Sequence, residues 1–186
     1  MKIIERKLKG VFEINPEPNR DKRGFFMRTY DYKIFAEYGL NYEWVQENHS
    51  HSIKKGIIRG LHFQFPPFAE TKLVRCIRGA IFDVFVDLRK DSLTFGKWDS
   101  IKLSEENKKM ILVPKGFAHG YCTLSKDSDV LYKVDQFYNP ESEGGILWND
   151  PDLNIEWPFS EMILSEKDKN NITFSEFKEK YKWLSI

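Results

Sequence analysis

Cysteine is nearly missing from this chain of 186 residues: it has two, Cys76 and Cys122. They stand too far apart for a CxxC redox or zinc motif, and two thiols make no disulfide scaffold. Buried free thiols in a reducing compartment are the expectation. Net charge is equally scarce, +1 from 29 basic and 28 acidic residues, so no long-range field draws the chain to DNA or to an anionic membrane. No window approaches the ~18–20 apolar residues of a membrane span. The N-terminal stretch "MKIIERKLKG" breaks into charge after a few apolar residues, unlike a secretory leader. The chain is therefore expected to be cytoplasmic, with neither nucleic acid nor membrane as partner. P-loop, GxGxxG and GxSxG motifs are also absent, which takes away the usual signatures of nucleotide-cradling loops and serine nucleophiles.

What is present is a globular composition, 41% hydrophobic and 15% aromatic, enough for one domain with a real core. No repeat or low-complexity linker divides it, so residues 1–186 read as a single domain. The middle of the chain reads as short strands divided by Gly, Pro, Asn and Asp. "TKLVRCIRG" runs through Arg78-Gly79 into "AIFDVFVDL" as a hairpin-like pair rich in β-branched and aromatic residues. "KKMILVPKG" and "SDVLYKVDQFY" follow as further strands. Helical signal is confined to "DYKIFAEYG" and to "FSEFKEKYKWL", where Phe174, Phe177, Tyr181 and Leu184 recur at helical spacing. The expected fold is mainly β, a sandwich or barrel of antiparallel strands with peripheral helices.

Alternate residues of a strand share a face, which sorts the polar residues. His62 and Gln64 point one way, Leu61 and Phe63 the other. Lys72 shares a face with Val74 and Cys76. Asp83 lies in a row with Ile81 and Phe85, costly for a carboxylate without a partner. Tyr132, Val134, Gln136 and Tyr138 form a further row. An interior that collects His62, Lys72, Asp83 and Tyr132 is a polar lumen suited to a ligand.

Three readings of His62 compete. A histidine on an apolar face is most often structural. A metal could be held by His62, Glu70 and His119, yet "HFQ" puts Gln64 where the second histidine of a cupin metal motif would stand. As a base, His62 has an ordinary pKa near working pH and needs a carboxylate to fix its tautomer, with Asp83 and Asp168 as candidates. A tyrosine on a facing strand could supply a proton and a lysine could stabilise an oxyanion.

Seven stretches then carry a resemblance: "RGFF" at 23–26, "VQENHSHS" at 45–52, "GIIRGLHFQ" at 56–64, "KLVRCIRGAIFDVFVDLRKDSLTFGKW" at 72–98, "LVPKGFAHGY" at 112–121, "LYKVDQFYNPESEGGILWNDPDLNIEWP" at 131–158 and "LSEKD" at 164–168. In order and spacing they resemble dTDP-4-dehydrorhamnose 3,5-epimerases over most of the chain. The resemblance implies a cupin-type jelly roll, with a core over about residues 40–160 and a C-terminal helical segment over about 172–184. It also implies a homodimer with sites shared across the interface, and action on a nucleotide-linked 4-keto-6-deoxyhexose without metal or organic cofactor. It gives His62 the role of base, Asp168 its carboxylate partner, Tyr132 the acid on the opposite face of the sugar, and Lys72 the neighbour of the ketone oxygen. Asp83 and His119 match a second pair lining the pocket. Arg59, Gln46 and Asn48 fall at sugar and diphosphate contacts, and Arg23, Phe26 and Tyr138 at nucleotide contacts.

Two positions depart from the family pattern. Arg28 stands where a glutamate beside the nucleobase is usual, which raises a changed base preference, such as a CDP-sugar, against the plain alternative that Arg28 turns outward or pairs with an acid. Glu70 stands near where a glutamine is usual and either pairs with its loop or weakens Lys72. Double epimerisation at C3 and C5 is the leading expectation. Single-carbon epimerisation of another nucleotide-linked keto sugar is the alternative, followed by a non-catalytic sugar-nucleotide-binding cupin.

Overall fold

Strand parity around His62 decides the layering. In a computed structural model covering residues 1–186, strands pair antiparallel into two main sheets and a short hairpin. The N-terminal strands are β1 (Lys2–Glu5), β2 (Phe12–Asn15), β3 (Asn19–Asp21) and β4 (Gly24–Phe26), followed by α1 (Tyr32–Glu37). The body comprises β5 (Gln46–Ser52), β6 (Ile58–Gln64), β7 (Lys72–Arg78), β8 (Ala80–Asp87), β9 (Trp98–Ser104), β10 (Met110–Val113), β11 (Phe117–Thr123), β12 (Ser128–Val134) and β13 (Glu143–Gly145). Two helices close the chain, α2 (Glu166–Lys169) and α3 (Phe174–Tyr181). One sheet runs β1-β2-β10-β7-β12-β5, the other β13-β6-β11-β8-β9, and β3 and β4 form the separate hairpin. This is an antiparallel jelly roll of the cupin type, whose larger sheet reaches back to residue 2.

Three apolar layers follow from the alternation. Between the sheets lie Val74, Cys76, Ile81, Phe85, Ile111, Phe117 and Val130. Outside the five-stranded sheet, Leu61, Phe63, Val84 and Val86 pack against Phe174, Phe177 and Leu184 from the C-terminal segment. Outside the six-stranded sheet, Ile14, Leu73 and Leu112 are covered by Phe35 of α1 and by Leu40. Each buried Phe or Leu contributes about 1.5–3 kcal/mol, so α3 is held by its apolar stripe. Its N-terminus is fixed by a Thr173–Glu176 capping box.

Two expectations change in detail. Strands β7 and β8 do not pair as a hairpin: β7 bonds to β10 and β12, β8 to β9 and β11. The Arg78-Gly79 turn, with Gly79 at φ +70°, carries the chain from one sheet to the other. A jelly roll brings both sequence-adjacent strands into the same core layer without bonding them to each other. The C-terminal stripe also straightens early. The helix ends at Tyr181, Lys182 caps it at φ +64°, and Leu184 is buried as an extended residue bridging Arg89.

Candidate active site

A cavity of about 690 Å³ opens between the sheets, lined in part by His62, Arg59, Lys72, His119, Tyr132 and Asp168. Its floor is set by the register of β6 on β11, where His62 lies directly opposite His119. Both therefore present the same face. One step further along, Arg59 lies opposite Tyr121, so β6 spends three residues where β11 spends two. This bulge matters, because strict alternation from His62 would turn Arg59 to the other face. The extra residue brings Arg59 into the cavity, where its guanidinium donates to Ser52 Oγ at 3.3 Å and to the His51 carbonyl at 3.1 Å. Gly60 is required at the bend: its φ is +129°, and a Cβ there would meet Gly120 Cα at 2.6 Å. The motif "RGLH" thus places a cation and an imidazole in one cavity.

His62 Nε2 is bonded to Asp168 Oδ1 at 2.5 Å. Asp168 sits on α2, whose N-cap Ser165 accepts from the Asp168 N–H. Burial by itself would raise this carboxyl, but bonding to His62, to Ser165 and to the Gly60 N–H overrides it and holds Asp168 below the usual range. His62 Nδ1 makes no hydrogen bond within the protein. With Nε2–H donated to Asp168, the free lone pair is on Nδ1.

The second pair lies deeper. His119 Nε2 meets both oxygens of the fully buried Asp83, at 3.0 and 2.9 Å. Burial pushes the Asp83 carboxyl up, with the attractions of His119 and Lys72 opposing it.

The other sheet supplies Tyr132 on β12 and Lys72 on β7. Tyr132 lies opposite Val74 and Lys72 opposite Val134, which makes Tyr132 and Lys72 diagonal neighbours on one face. Burial raises the Tyr132 phenol above its ordinary value, with Glu70 and Glu143 adding to the rise and Arg59 opposing it. The phenol stays a proton donor at neutral pH. Lys72 Nζ is 3.2 Å from Glu70, so Glu70 reaches the lysine itself and does not merely pair within its loop. His62, Glu70 and His119 form no three-ligand cluster: Glu70 is occupied by Lys72 and by Gln64 Nε2 at 3.3 Å. Gln64 also donates to the Phe68 carbonyl at 2.8 Å and accepts from the Asn139 N–H at 2.6 Å. It ties two loops together.

Known proteins resemble the chain in sequence and in fold. A family model described as dTDP-4-dehydrorhamnose 3,5-epimerase fits residues 5–176. The chain belongs to this family. A dTDP-4-dehydrorhamnose 3,5-epimerase of Shigella flexneri is 48% identical over 94% of this chain and 96% of its own. The solved dTDP-4-dehydrorhamnose 3,5-epimerase of Bacillus anthracis, with TDP and PPi bound, superposes with a TM-score of 0.91 at 46% identity, over 93% of this chain and 99% of that one. A 4-keto-6-deoxy sugar epimerase from the novobiocin biosynthetic gene cluster of Streptomyces spheroides gives a TM-score of 0.95 at 34% identity, over 100% and 93%.

The remaining expected residues of this epimerase-family chain divide into two groups. Asn48 lies opposite Tyr132 across β5 and β12, on the cavity face, and Gln46 Oε1 accepts from the Tyr138 N–H at 2.7 Å. Tyr138 donates its hydroxyl to Glu143 at 2.7 Å, and Glu143 pairs with Lys167 at 2.5 Å. Arg23 and Phe26 stand apart on the β3–β4 hairpin, exposed, with Arg23 paired to Asp21. Arg28 bonds Asp31, the N-cap of α1, at 3.0 Å. Sequence reasoning did not pick out Tyr121, Ser50 or Lys167, all of which line the cavity. Tyr121 donates to Ser50 Oγ at 2.9 Å. Parity with His119 and with Asn48 would have found the first two; Lys167 carries no local signal beyond its position beside Asp168.

Proposed function

We propose that the chain epimerises C3 and C5 of dTDP-4-dehydro-6-deoxy-D-glucose, giving dTDP-4-dehydro-L-rhamnose. The observation that carries this reading is that His62 and Tyr132 line one cavity from two different sheets. Inversion beside a ketone needs a proton removed from one face of the sugar and returned to the other. In the proposed cycle the C–H bond breaks toward His62, its electrons pass into an enolate, and the oxygen at C4 meets the Lys72 ammonium. Tyr132 then donates its proton from the opposite wall, and solvent restores both groups. Asp168 holds the His62 tautomer and balances the imidazolium. Because the C4 ketone acidifies both neighbours, one set of groups serves C3 and C5 in turn. Acid–base participation is worth about 10²–10⁴-fold per group.

Around this centre, Arg59 and Lys167 supply cations suited to a diphosphate, with Gln46, Asn48 and His119 completing the sugar pocket and the buried Asp83 holding His119 from behind. Arg23, Phe26 and Tyr138 are assigned to the nucleotide. For Arg23 and Phe26 this means the site of a second copy, in a cytoplasmic homodimer. The exposed aromatics of the β3–β4 hairpin, Phe25 and Phe26, support that assembly, and two buried free thiols suit a reducing compartment. Arg28 engaged by Asp31 removes the main support for a CDP-sugar, and the kinship to double epimerases favours two carbons over one. No helix is long and apolar enough to cross a membrane.

The test is NMR in deuterated water with dTDP-4-dehydro-6-deoxy-D-glucose and its CDP counterpart in parallel. Deuterium is expected at both C3 and C5 of the dTDP sugar. Labelling at a single carbon, or of the CDP sugar only, overturns the assignment.

A further inference from the structure

Lys72, on the cavity wall, forms an ion pair with Glu70 behind it, and both side chains are mostly buried, at 11% and 13% exposure. We infer that Glu70 is a positioning residue for the epimerase reaction: held on one side by Gln64, its carboxylate fixes the Lys72 ammonium on the cavity wall beside Tyr132. The inference rests on the proposed role of Lys72 at the sugar ketone.

The geometry gives Glu70 a fixed seat. One oxygen meets Lys72 Nζ at 3.2 Å, and the other accepts from Gln64 Nε2 at 3.3 Å. Gln64 cannot follow a moving lysine, because three backbone groups from two loops hold it: the carbonyls of Phe68 and Phe137 and the N–H of Asn139. A lysine on a flexible stem does not stay at one point without such a tether. An oxyanion donor is effective when it is already aimed before charge develops. The carboxylate has a second consequence, because it is among the charges that keep Tyr132 protonated. The other groups facing Tyr132 are Arg59 from β6, Tyr121 from β11, Lys72 from β7 and Glu143 from β13. Among all the groups acting on Tyr132, Glu70 is the one that also pairs with Lys72, the proposed oxyanion donor.

The experiment measures kcat, KM and deuterium exchange across neutral and alkaline pH for wild type, Glu70→Gln, Glu70→Asp, Lys72→Met and the double variant Glu70→Gln/Lys72→Met. Glutamine keeps the volume and an acceptor but removes the charge. It is expected to lower kcat about tenfold with KM nearly unchanged, less than the ~10²–10³ lost with an oxyanion donor itself, and to move the alkaline limb to lower pH. In the Lys72→Met background the same change should add no further loss of kcat at neutral pH, the mark of two residues acting as a unit, while the alkaline limb should still move to lower pH, because Glu70 acts on Tyr132 without Lys72. Glu70→Asp keeps the charge one methylene short, so kcat should fall while the alkaline limb stays in place. It also serves if Glu70→Gln does not fold. An unchanged kcat in either variant, or a full multiplication of the two losses in the double, overturns the inference. A wild type that exchanges no proton overturns both this inference and the proposed function, whereas an active wild type indifferent to Glu70 overturns the inference alone.

Discussion

His62 and His119 face each other on neighbouring strands, each with an aspartate on Nε2, yet their surroundings differ. The His62 side chain is 31% exposed and its partner Asp168 is drawn below the usual carboxylate range. His119 is 8% exposed, and its partner Asp83 is sealed and pushed up. The difference arises from architecture. Asp168 arrives on a short helix at the cavity rim, with the Gly60 N–H to help bear its charge. Asp83 stands mid-strand in an apolar row between Ile81 and Phe85. Identical side chains therefore stand in different environments, and in the proposed mechanism the outer pair exchanges protons with the ligand while the inner pair is a fixed part of the wall.

The largest expected effect separates the two histidines. His62→Ala should lower deuterium exchange by about 10²–10⁴-fold, the range for loss of an acid–base group. His119→Ala should stay below the ~10²-fold floor of such participation and act more on KM than on kcat. Equal losses in kcat would break the comparison and make both pairs reactive.

The next effect separates the aspartates. Asp168→Asn leaves an acceptor for His62 but removes the charge that balances an imidazolium, so kcat should fall by about 10²-fold. Asp83→Asn removes a charge that burial already disfavours and keeps a hydrogen bond to His119. Its kcat should change less than that of Asp168→Asn. Steady-state kinetics on both variants, each checked for cooperative melting, decides the order.

This asymmetry was only half legible in the chain. His62, Lys72, Asp83 and Tyr132 could be gathered by parity, because the cavity walls are regular strands whose alternation holds. Asp168 could be named only as one of two candidate partners, beside Asp83, since 106 residues separate it from His62 and nothing local announces a helix reaching back to the rim; a resemblance chose between them. The aim of Arg59 was hidden by the bulge at Gly60, which breaks the alternation that parity assumes. The hairpin expected at Arg78-Gly79 misled for a related reason. Turn chemistry reports that the chain reverses, not whether the next strand bonds in the same sheet. Glu143 and Lys167 were invisible because their partnership joins β13 to α2 and depends wholly on tertiary packing.

The smallest effect is also the most diagnostic, because it differs in sign. A carboxyl lowered on folding adds stability that is present above its unfolded pKa and fades as pH falls through the folded one. A carboxyl raised on folding does the reverse: its contribution is complete below the unfolded pKa and is lost as pH rises through the folded one. Asp168 belongs to the first class and Asp83 to the second. Relative to wild type, Asp168→Asn should therefore lose stability as pH rises through the acid range up to about 4–5, the ordinary carboxylate region. Asp83→Asn should gain stability relative to wild type as pH rises above about 4. One proton bounds each slope at about 1.4 kcal/mol per pH unit. Denaturant unfolding at a series of pH values measures both. Slopes of the same sign would mean that the two aspartates share one environment, and that exposure and burial do not distinguish the working pair from the buried one.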